Sequence, residues 1–289
     1  EYGGAGMDNV TYVMAMIEIS KACASCGVIV SVNNTLYGHP VKTFGTHEQK
    51  LEYLTPVAGG QVEGCYGLTE SGAGSDAASL KCRAELKGDK YIVNGAKTFI
   101  TNGPVARYCV LAATTDPSIG YKGVINLIVD MKNTPGFKVG KIEEKMGILA
   151  SGTSELIFED AEVPAANLLG KTGQGFQQMM AGLNAGRIGI GAQACGIGRA
   201  ALEDALAYAK ERVQFGKPIA TFQAIQFKLA DMATELDAAE LLLLRAAWME
   251  DNHMDFEMQS AMSKYYSSDV AMKAAIEGVQ IFGGYGYIK

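Results

Sequence analysis

The sequence predicts a multi-domain α+β chain: a partial N-terminal helical domain over 1–62, a middle antiparallel β-barrel or sandwich domain over 63–170, and a partial C-terminal helical bundle over 171–289. Three observations predict it. The apolar period is helical through about residue 62, gives way to short β-branched and aromatic runs, and returns to helical spacing after Gly175. A length of 289 residues is enough for two domains, or three small ones, with real cores.

In the first segment Val10, Val13, Met14, Ile17 and Ala24 recur at helical spacing, with Asp8 or Asn9 available as a cap. Thr46-His47-Glu48-Gln49 has the form of a capping box, and Leu51 and Leu54 supply an apolar stripe behind it. A second helix is therefore expected to run to about Leu54, ahead of Pro56. In the middle segment five runs read as strands: Lys90–Val93, Lys97–Thr101, Tyr108–Ala112, Val124–Val129 and Glu155–Phe158. Gly-Asp, Asn-Gly and Pro-Gly turn chemistry separates them, and no helical pattern intervenes, which points to an antiparallel barrel or sandwich. In the last segment Phe176–Arg212, Phe222–Asp251 and Phe256–Gln280 are long helical stretches, broken at Phe215-Gly216-Lys217-Pro218 and Asn252-His253-Met254-Asp255. Long helices with short connections make a bundle.

Composition narrows the function classes. A 48% hydrophobic, 19% charged chain is not disordered. Thirty-one acidic against 25 basic residues give a net charge of −6, so the whole chain has no strong attraction to nucleic acid or an anionic membrane, although a local basic patch stays open. No run approaches the roughly 18 apolar residues of a membrane span, and no signal-like start is visible. Six cysteines lack the density of a stapled secreted scaffold and fit a reducing, intracellular compartment. The unusual numbers are 35 Gly against 7 Pro. The glycines gather at Gly3, Gly4 and Gly6, at Gly67, Gly72 and Gly74, from Gly182 to Gly198, and at Gly283, Gly284 and Gly286. Both ends thus fall in turn-like sequence, and an incomplete polypeptide is expected, with a naturally short chain and a loose tail as the alternative.

Several motifs have both a chemical and a plain reading. Gly72-Ala73-Gly74-Ser75-Asp76-Ala77 imitates the opening of a dinucleotide fingerprint, but a strand-like segment follows where that fingerprint needs a helix. What stays open is a loop whose backbone approaches a cofactor, or a simple surface turn. Cys23-Ala24-Ser25-Cys26 has metal or redox spacing, yet no second such pair exists and His39, His47 and His253 are scattered, so buried helix cysteines are expected. No Gly-x-Ser-x-Gly occurs. Met179-Met180 and Leu241–Leu244 read as bundle core. Arg187, among small residues in a helix, suits a close-approaching anionic ligand or a structural ion pair. Arg212 near a helix end suits the helix dipole or a phosphate. The residues alone thus point to a three-part protein that binds something phosphorylated.

Six stretches, in order, carry a resemblance: Glu1-Tyr2-Gly3-Gly4-Ala5-Gly6, Tyr66–Asp76, Asn94–Asn102, Gly186–Ile190, Arg212–Gly216 and Gln280–Tyr287. Through them the chain resembles the acyl-CoA dehydrogenase family, most closely its short-chain, butyryl-CoA dehydrogenase branch, over essentially its whole length. The resemblance implies three domains in the order read above, a homotetramer, one FAD per subunit, an acyl-CoA substrate, and electron transfer to an electron-transfer flavoprotein in the bacterial cytoplasm or the mitochondrial matrix. It implies that Tyr66, Leu68 and Thr69 hydrogen-bond the flavin ring, that Ser75 lies where FAD and acyl-CoA approach, and that Phe99, Ile100 and Thr101 run beside the isoalloxazine. Many relatives have Trp where this chain has Phe99. Arg212, Phe215, Gln223, Gln280, Gly283 and Gly284 resemble residues that reach the FAD of a neighbouring subunit. Asn184 and Arg187 match a substrate-contacting pair in which the family often has Asp at the first position; an amide still donates and accepts there.

The implied reaction is α,β-dehydrogenation of an acyl-CoA thioester, which needs a positioned base and a polarised carbonyl. The family's base is a Glu, beyond the Gly-Gly-x-Gly-Tyr turn in short- and medium-chain members and just before the Arg in the isovaleryl and long-chain branches, where this chain has Gly186. No catalytic residue is therefore expected within these 289 residues, and sequence is expected to be missing at the N-terminus as well. A non-catalytic acyl-CoA or flavoprotein-docking scaffold, and an oxygen-using relative, are the alternatives.

Overall fold

The computed structural model describes residues 2–288; Glu1 and Lys289, each the outer residue of a motif-bearing terminus, lie outside the described residues. The chain divides into two compact units, one of Glu1–Gly6 and Ile29–Gly186, the other of Met7–Val28 and Arg187–Lys289.

Asp8 caps α1 (Asn9–Ala22), its carboxylate accepting the Thr11 N–H at 2.8 Å. α1 ends at Cys23, which is extended at φ −156°, and α2 (Ala24–Ser31) begins at the next residue. The uninterrupted helix expected across Cys23 and Cys26 is therefore broken, and the expectation that both thiols are buried fails: Cys23 is half-buried and Cys26 exposed. The cause is the close approach of Gly27 to Ser20, where a Cβ on Gly27 would stand 2.2 Å from Ser20 Oγ. Those two small residues take the inside of the junction and leave the cysteines outside.

π-Helical segments at Val32–Gly38 and Lys50–Leu54 lead into α3 (His39–Phe44) and join α4 (His47–Gln49) to α5 (Thr55–Ala58). The expected capping box is present: Gln49 N–H donates to Thr46 Oγ1 at 3.2 Å, and Thr46 N–H to Gln49 Oε1 at 3.0 Å. The helical run does not stop ahead of Pro56, contrary to expectation. In each π-helical segment the closing bond reaches back five residues, from His39 to Asn34 and from Thr55 to Lys50, so a widened turn sits directly before Pro40 and Pro56. That turn accommodates the missing donor and the ring, which a regular helix cannot.

The middle of the chain forms β1 (Gly64–Gly67), β2 (Arg83–Lys87), β3 (Lys90–Thr101), β4 (Tyr108–Thr114), β5 (Val124–Asp130), β6 (Phe137–Ile142) and β7 (Thr153–Pro164). They make one seven-stranded sheet in the order β1-β4-β2-β3-β7-β6, with β5 on β4. The expected β domain is thus present, but its sheet is mixed: β1 and β2 each pair parallel to β4, and the remaining pairings are antiparallel. Turn chemistry announces hairpins between sequence neighbours, whereas the β1–β4 pairing needs the long path that also holds the β2–β3 hairpin. The runs expected at Lys90–Val93 and Lys97–Thr101 are one strand, irregular in register at Val93/Gly95 and Lys97/Ile100.

β4 and β5 are buried on both faces, which explains their unbroken apolar runs. Cys109, Leu111 and Ala113 face the interior of the β domain with Leu127 and Val129. Val110 turns the other way to meet Tyr37, Tyr53 and Leu169, and Ala112 meets Ala73, Leu80 and Met179.

The three long helices appear where expected: α6 (Gly175–Glu211), α7 (Gln223–Asp251) and α8 (Glu257–Phe282), with the small hairpin β8 (Val213–Gln214) and β9 (Lys217–Pro218) after α6. Within the second unit Asp251 accepts the Asn9 N–H at 2.8 Å and the Val10 N–H at 3.1 Å, placing a carboxylate on the N-terminus of α1. Gly196 of α6 lies against α1 so closely that a Cβ would stand 2.5 Å from the Ile17 carbonyl oxygen. Among the described residues no helix is long and apolar enough to cross a membrane.

Candidate functional site

In the first unit, the residues expected at the flavin ring converge from two segments. The Thr98 N–H donates to the Thr69 carbonyl at 2.8 Å, fixing the chain after β1 against the irregular stretch of β3. Register slips between Lys97 and Ile100, so Phe99 takes φ 60° and stands 64% exposed while Ile100 is buried. Asn102, which tolerates its φ of 63°, is buried at the end of the turn and donates from Nδ2 to the Gly64 carbonyl at 3.2 Å. Strand β1 and the end of β3 are thereby held together.

The loop after β1 is tied by a reciprocal pair of bonds, Glu70 N–H to the Ala73 carbonyl and Ala73 N–H to the Glu70 carbonyl, both at 3.1 Å. Ala73 is buried with Met179, and Tyr66, Leu68, Phe176 and Leu183 pack against them. The strand end, the loop and the first turns of α6 therefore share one apolar cluster. Ser75 is exposed beyond it, and Cβ atoms added at Gly72 or Gly74 would meet only open space. Among the described residues none hydrogen-bonds the side-chain hydroxyl of Thr69, Ser75 or Thr101, and the buried Tyr66 hydroxyl has no partner either. Burial pushes the Tyr66 phenol above its ordinary value.

Beneath this surface lies a pair that sequence reading left without a role. Lys97 is fully buried, and its Nζ donates to Glu70 Oε1 at 2.7 Å and to the Leu68 carbonyl at 3.0 Å. Glu70 also accepts the Lys81 N–H at 2.7 Å and the Cys82 N–H at 2.9 Å. Burial pulls the Glu70 carboxyl upward, but the Lys97 charge and hydrogen bond, with those two backbone donors, outweigh it and hold the group below its usual value. The signal in the sequence was a lysine between Val93 and Ile100 in a strand whose neighbours turn inward, with an acid following Leu68-Thr69.

The second unit collects another set. Arg212 follows the last residue of α6, and its carbonyl accepts the Ile219 N–H at 2.8 Å across the β8–β9 hairpin. Phe215 and Gly216 form the hairpin tip with φ of 54° and 77°, the two positive values of a tight primed turn. Phe215 is 94% exposed and meets Phe222 edge-on at 6.0 Å, directly before the exposed Gln223. The Arg212 guanidinium lies 5.7 Å from the Tyr285 ring centroid, and Tyr208 stacks on Phe282 at 4.4 Å. Gly283, at φ 60°, ends α8 by donating its N–H to the Gln280 carbonyl. An open groove of about 610 Å³ runs between the Arg212 end of α6 and the Gly283-Gly284 turn. Arg212, Gly283 and Gly284 line it, whereas Phe215, Gln223 and Gln280 lie outside its lining. Sequence reasoning missed the contacts of Tyr208 and Tyr285, whose partners, Phe282 and Arg212, are remote in sequence.

Asn184 and Arg187 lie three residues apart on α6, and both are engaged by other residues. Between them Gly186 sits against Leu36, whose Cδ2 would be 3.1 Å from an added Cβ. A side chain at this turn would need the end of Leu36 to give by a few tenths of an ångström. Among the described residues no group of His, Cys, Asp or Glu is arranged to hold a metal ion.

Three family models match the chain: the acyl-CoA dehydrogenase N-terminal domain over residues 1–61, the middle domain over 65–161 and the C-terminal domain over 173–289. An acyl-CoA dehydrogenase of Bacillus subtilis (strain 168) is 52% identical over 289 residues, all of this chain and 76% of that protein. A solved structure described as the electron transferring flavoprotein of Acidaminococcus fermentans, in work on flavin-based electron bifurcation, superposes with a TM-score of 0.98 at 50% identity, covering 99% of this chain and 75% of the other. Butyryl-CoA dehydrogenase from Megasphaera elsdenii superposes with a TM-score of 0.97 at 45% identity, covering 99% of this chain and 76% of the other.

Proposed function

The chain belongs to the acyl-CoA dehydrogenase family, FAD-dependent oxidoreductases acting on CH–CH bonds, and from that premise we propose that it carries the flavin and substrate contacts of a short-chain enzyme. The reaction is oxidation of a short-chain acyl-CoA to the trans-2-enoyl-CoA, with electrons passed to an electron-transfer flavoprotein. The observation that carries this reading is the convergence of Tyr66–Thr69 and Phe99–Thr101 through the Thr98–Thr69 bond, beside three hydroxyls that no described residue engages.

The residues present fit the cofactor. Hydroxyls at Thr69, Ser75 and Thr101 supply donors and acceptors, Phe99 supplies an exposed aromatic face, and the open space at Gly72 and Gly74 lets a large planar ligand approach the backbone. FAD, when bound, supplies the acceptor for the hydride that leaves the β-carbon. In this reading Tyr66, Leu68, Thr69, Ile100 and Thr101 would orient the ring, while Ser75, Asn184 and Arg187 would hold the acyl-CoA. Arg212, Phe215, Gln223, Gln280, Gly283 and Gly284 serve the FAD of a neighbouring subunit in a homotetramer. The aromatic-backed Arg212 above an open groove supports that role, since a guanidinium there meets a phosphate without first being buried. No carboxylate among these residues is assigned to α-proton removal. The helix-borne position holds Gly186, which carries no carboxylate, and the base is proposed to lie beyond the Gly283–Tyr287 turn.

The test is anaerobic titration of the FAD-loaded full-length protein with butyryl-CoA, followed in the visible flavin band. Bleaching that an electron-transfer flavoprotein reverses is the expected result. Failure to retain flavin, or retention of flavin and acyl-CoA without bleaching, would overturn the enzyme reading, and the second outcome would establish the scaffold. Oxygen consumption without a protein acceptor would instead identify an oxidase.

A further inference from the structure

Six cysteines are present, and four of them, Cys65, Cys82, Cys109 and Cys195, are buried. The other two share the junction between α1 and α2 and take no part in the contacts described above. Cys23 is the single extended residue between the two helices, immediately ahead of α2, and Cys26 lies on the first turn of α2. Cys23 is half-buried and Cys26 exposed, so both thiols are open to a small solute. The Gly27 N–H donates to the Cys23 carbonyl at 3.0 Å, closing the same turn through the backbone. Ser20 and Gly27 fill the inside of the junction, so drawing the two sulfurs together displaces no buried side chain.

We propose that Cys23 and Cys26 form a thiol–disulfide exchange site whose ligand is a small-molecule disulfide of the glutathione class. Cys23 attacks, and Cys26 resolves. The Cys23 thiolate displaces one thiol from the disulfide and becomes a mixed disulfide; Cys26 then attacks the Cys23 sulfur and releases the second thiol. Two protein thiols and one external disulfide become one protein disulfide and two external thiols, so atoms and electrons balance. The division of labour follows the local geometry. Cys23 stands immediately before the N-terminus of α2, where the Cys26 backbone N–H and the helix dipole favour its thiolate and hold it below the usual thiol value, whereas Cys26, within the turn, is held above it by its neighbour Cys23. A metal reading fails because the pair has no third ligand among the described residues.

The site is independent of the flavin reading and is tested without an activity assay. The purified protein is equilibrated in graded mixtures of reduced and oxidised glutathione, quenched in acid, alkylated and mapped by mass spectrometry. The expected result is loss of two hydrogens from the peptide holding Cys23 and Cys26, under conditions where the four buried cysteines are still alkylated as thiols. The variant Cys26→Ser should accumulate glutathione on Cys23, and Cys23→Ser should take it up about tenfold more slowly. Far-ultraviolet circular dichroism confirms that both variants fold. A wild-type pair that never loses two hydrogens before the buried cysteines react, or a Cys23→Ser variant modified as fast as Cys26→Ser, overturns the proposal.

Discussion

Phe99 holds its backbone at φ 60° with most of its ring in solvent, a conformation that costs a bulky L-residue roughly 1–2 kcal/mol. Glycine there removes that cost and adds about 0.5–1 kcal/mol of unfolded-state entropy, so Phe99→Gly should leave the melting of the flavin-free chain nearly unchanged. The same change should weaken FAD binding, read by fluorescence titration; equal binding by the variant would show that the strained aromatic does not serve the cofactor. Beneath it, Lys97→Met strands the Glu70 carboxylate against a lost partner and should lower stability by about 3–5 kcal/mol in urea unfolding, with Lys97→Met/Glu70→Gln recovering most of the loss. A deficit below about 1 kcal/mol would contradict the pairing. Because the folded state holds Glu70 below its ordinary value of 4.5, its contribution is complete above that pH and disappears as pH falls through the lower folded value. Acid unfolding of Glu70→Gln should therefore be less steep below pH 4.5 than that of the parent chain. At this scale, motif likeness singled out Thr69, Phe99 and Arg212, and the structure leaves the Phe99 ring exposed and puts Arg212 in the lining of an open groove. Motif likeness did not expose the Glu70–Lys97 pair, whose meaning depends on which face of β3 turns inward, or the Arg212–Tyr285 contact, which joins remote segments.

At the scale of elements, local chemistry was the most readable part. Asp8, the Thr46–Gln49 capping box and the three long helices stand where pattern and propensity put them. Three features escaped for physical reasons. The π-helical turns before Pro40 and Pro56 allow a helix to pass a proline that ordinarily ends it. The parallel β1–β4 pairing depends on a distant partner rather than on a turn. The break at Cys23 follows from the Ser20–Gly27 approach, which helical spacing alone does not reveal. Two substitutions test the element contacts. Asp251→Asn removes the charge that accepts the Asn9 and Val10 N–H groups and should cost about 1 kcal/mol of stability, with α1 exchanging its first amides faster. Gly196→Ala places a methyl 2.5 Å from the Ile17 carbonyl oxygen and should cost about 1–3 kcal/mol. Unchanged denaturation midpoints would contradict these two packings.

For the whole molecule, the three-part order read from hydrophobic period agrees with three matched family models in the same order. The two compact units partition the chain differently, because α1 belongs with the long helices and the start of α6 with the β domain. Period reports which residues are helical but not which body a helix joins. The glycine excess noted in the composition now has assigned places: open space at Gly72 and Gly74 in the loop after β1, close helix contact at Gly196, and the tight turns at Gly216 and Gly283. The claim on which the functional account rests is that the Thr69, Phe99 and Thr101 surface is a flavin site. Equilibrium dialysis of the purified protein against FAD tests it most directly. The account predicts saturation at one FAD per subunit, with affinity lowered at least about tenfold in Thr101→Val, which removes one hydroxyl and preserves shape. A folded protein that retains no FAD, or a Thr101→Val variant that binds it as tightly as the parent, would contradict the account.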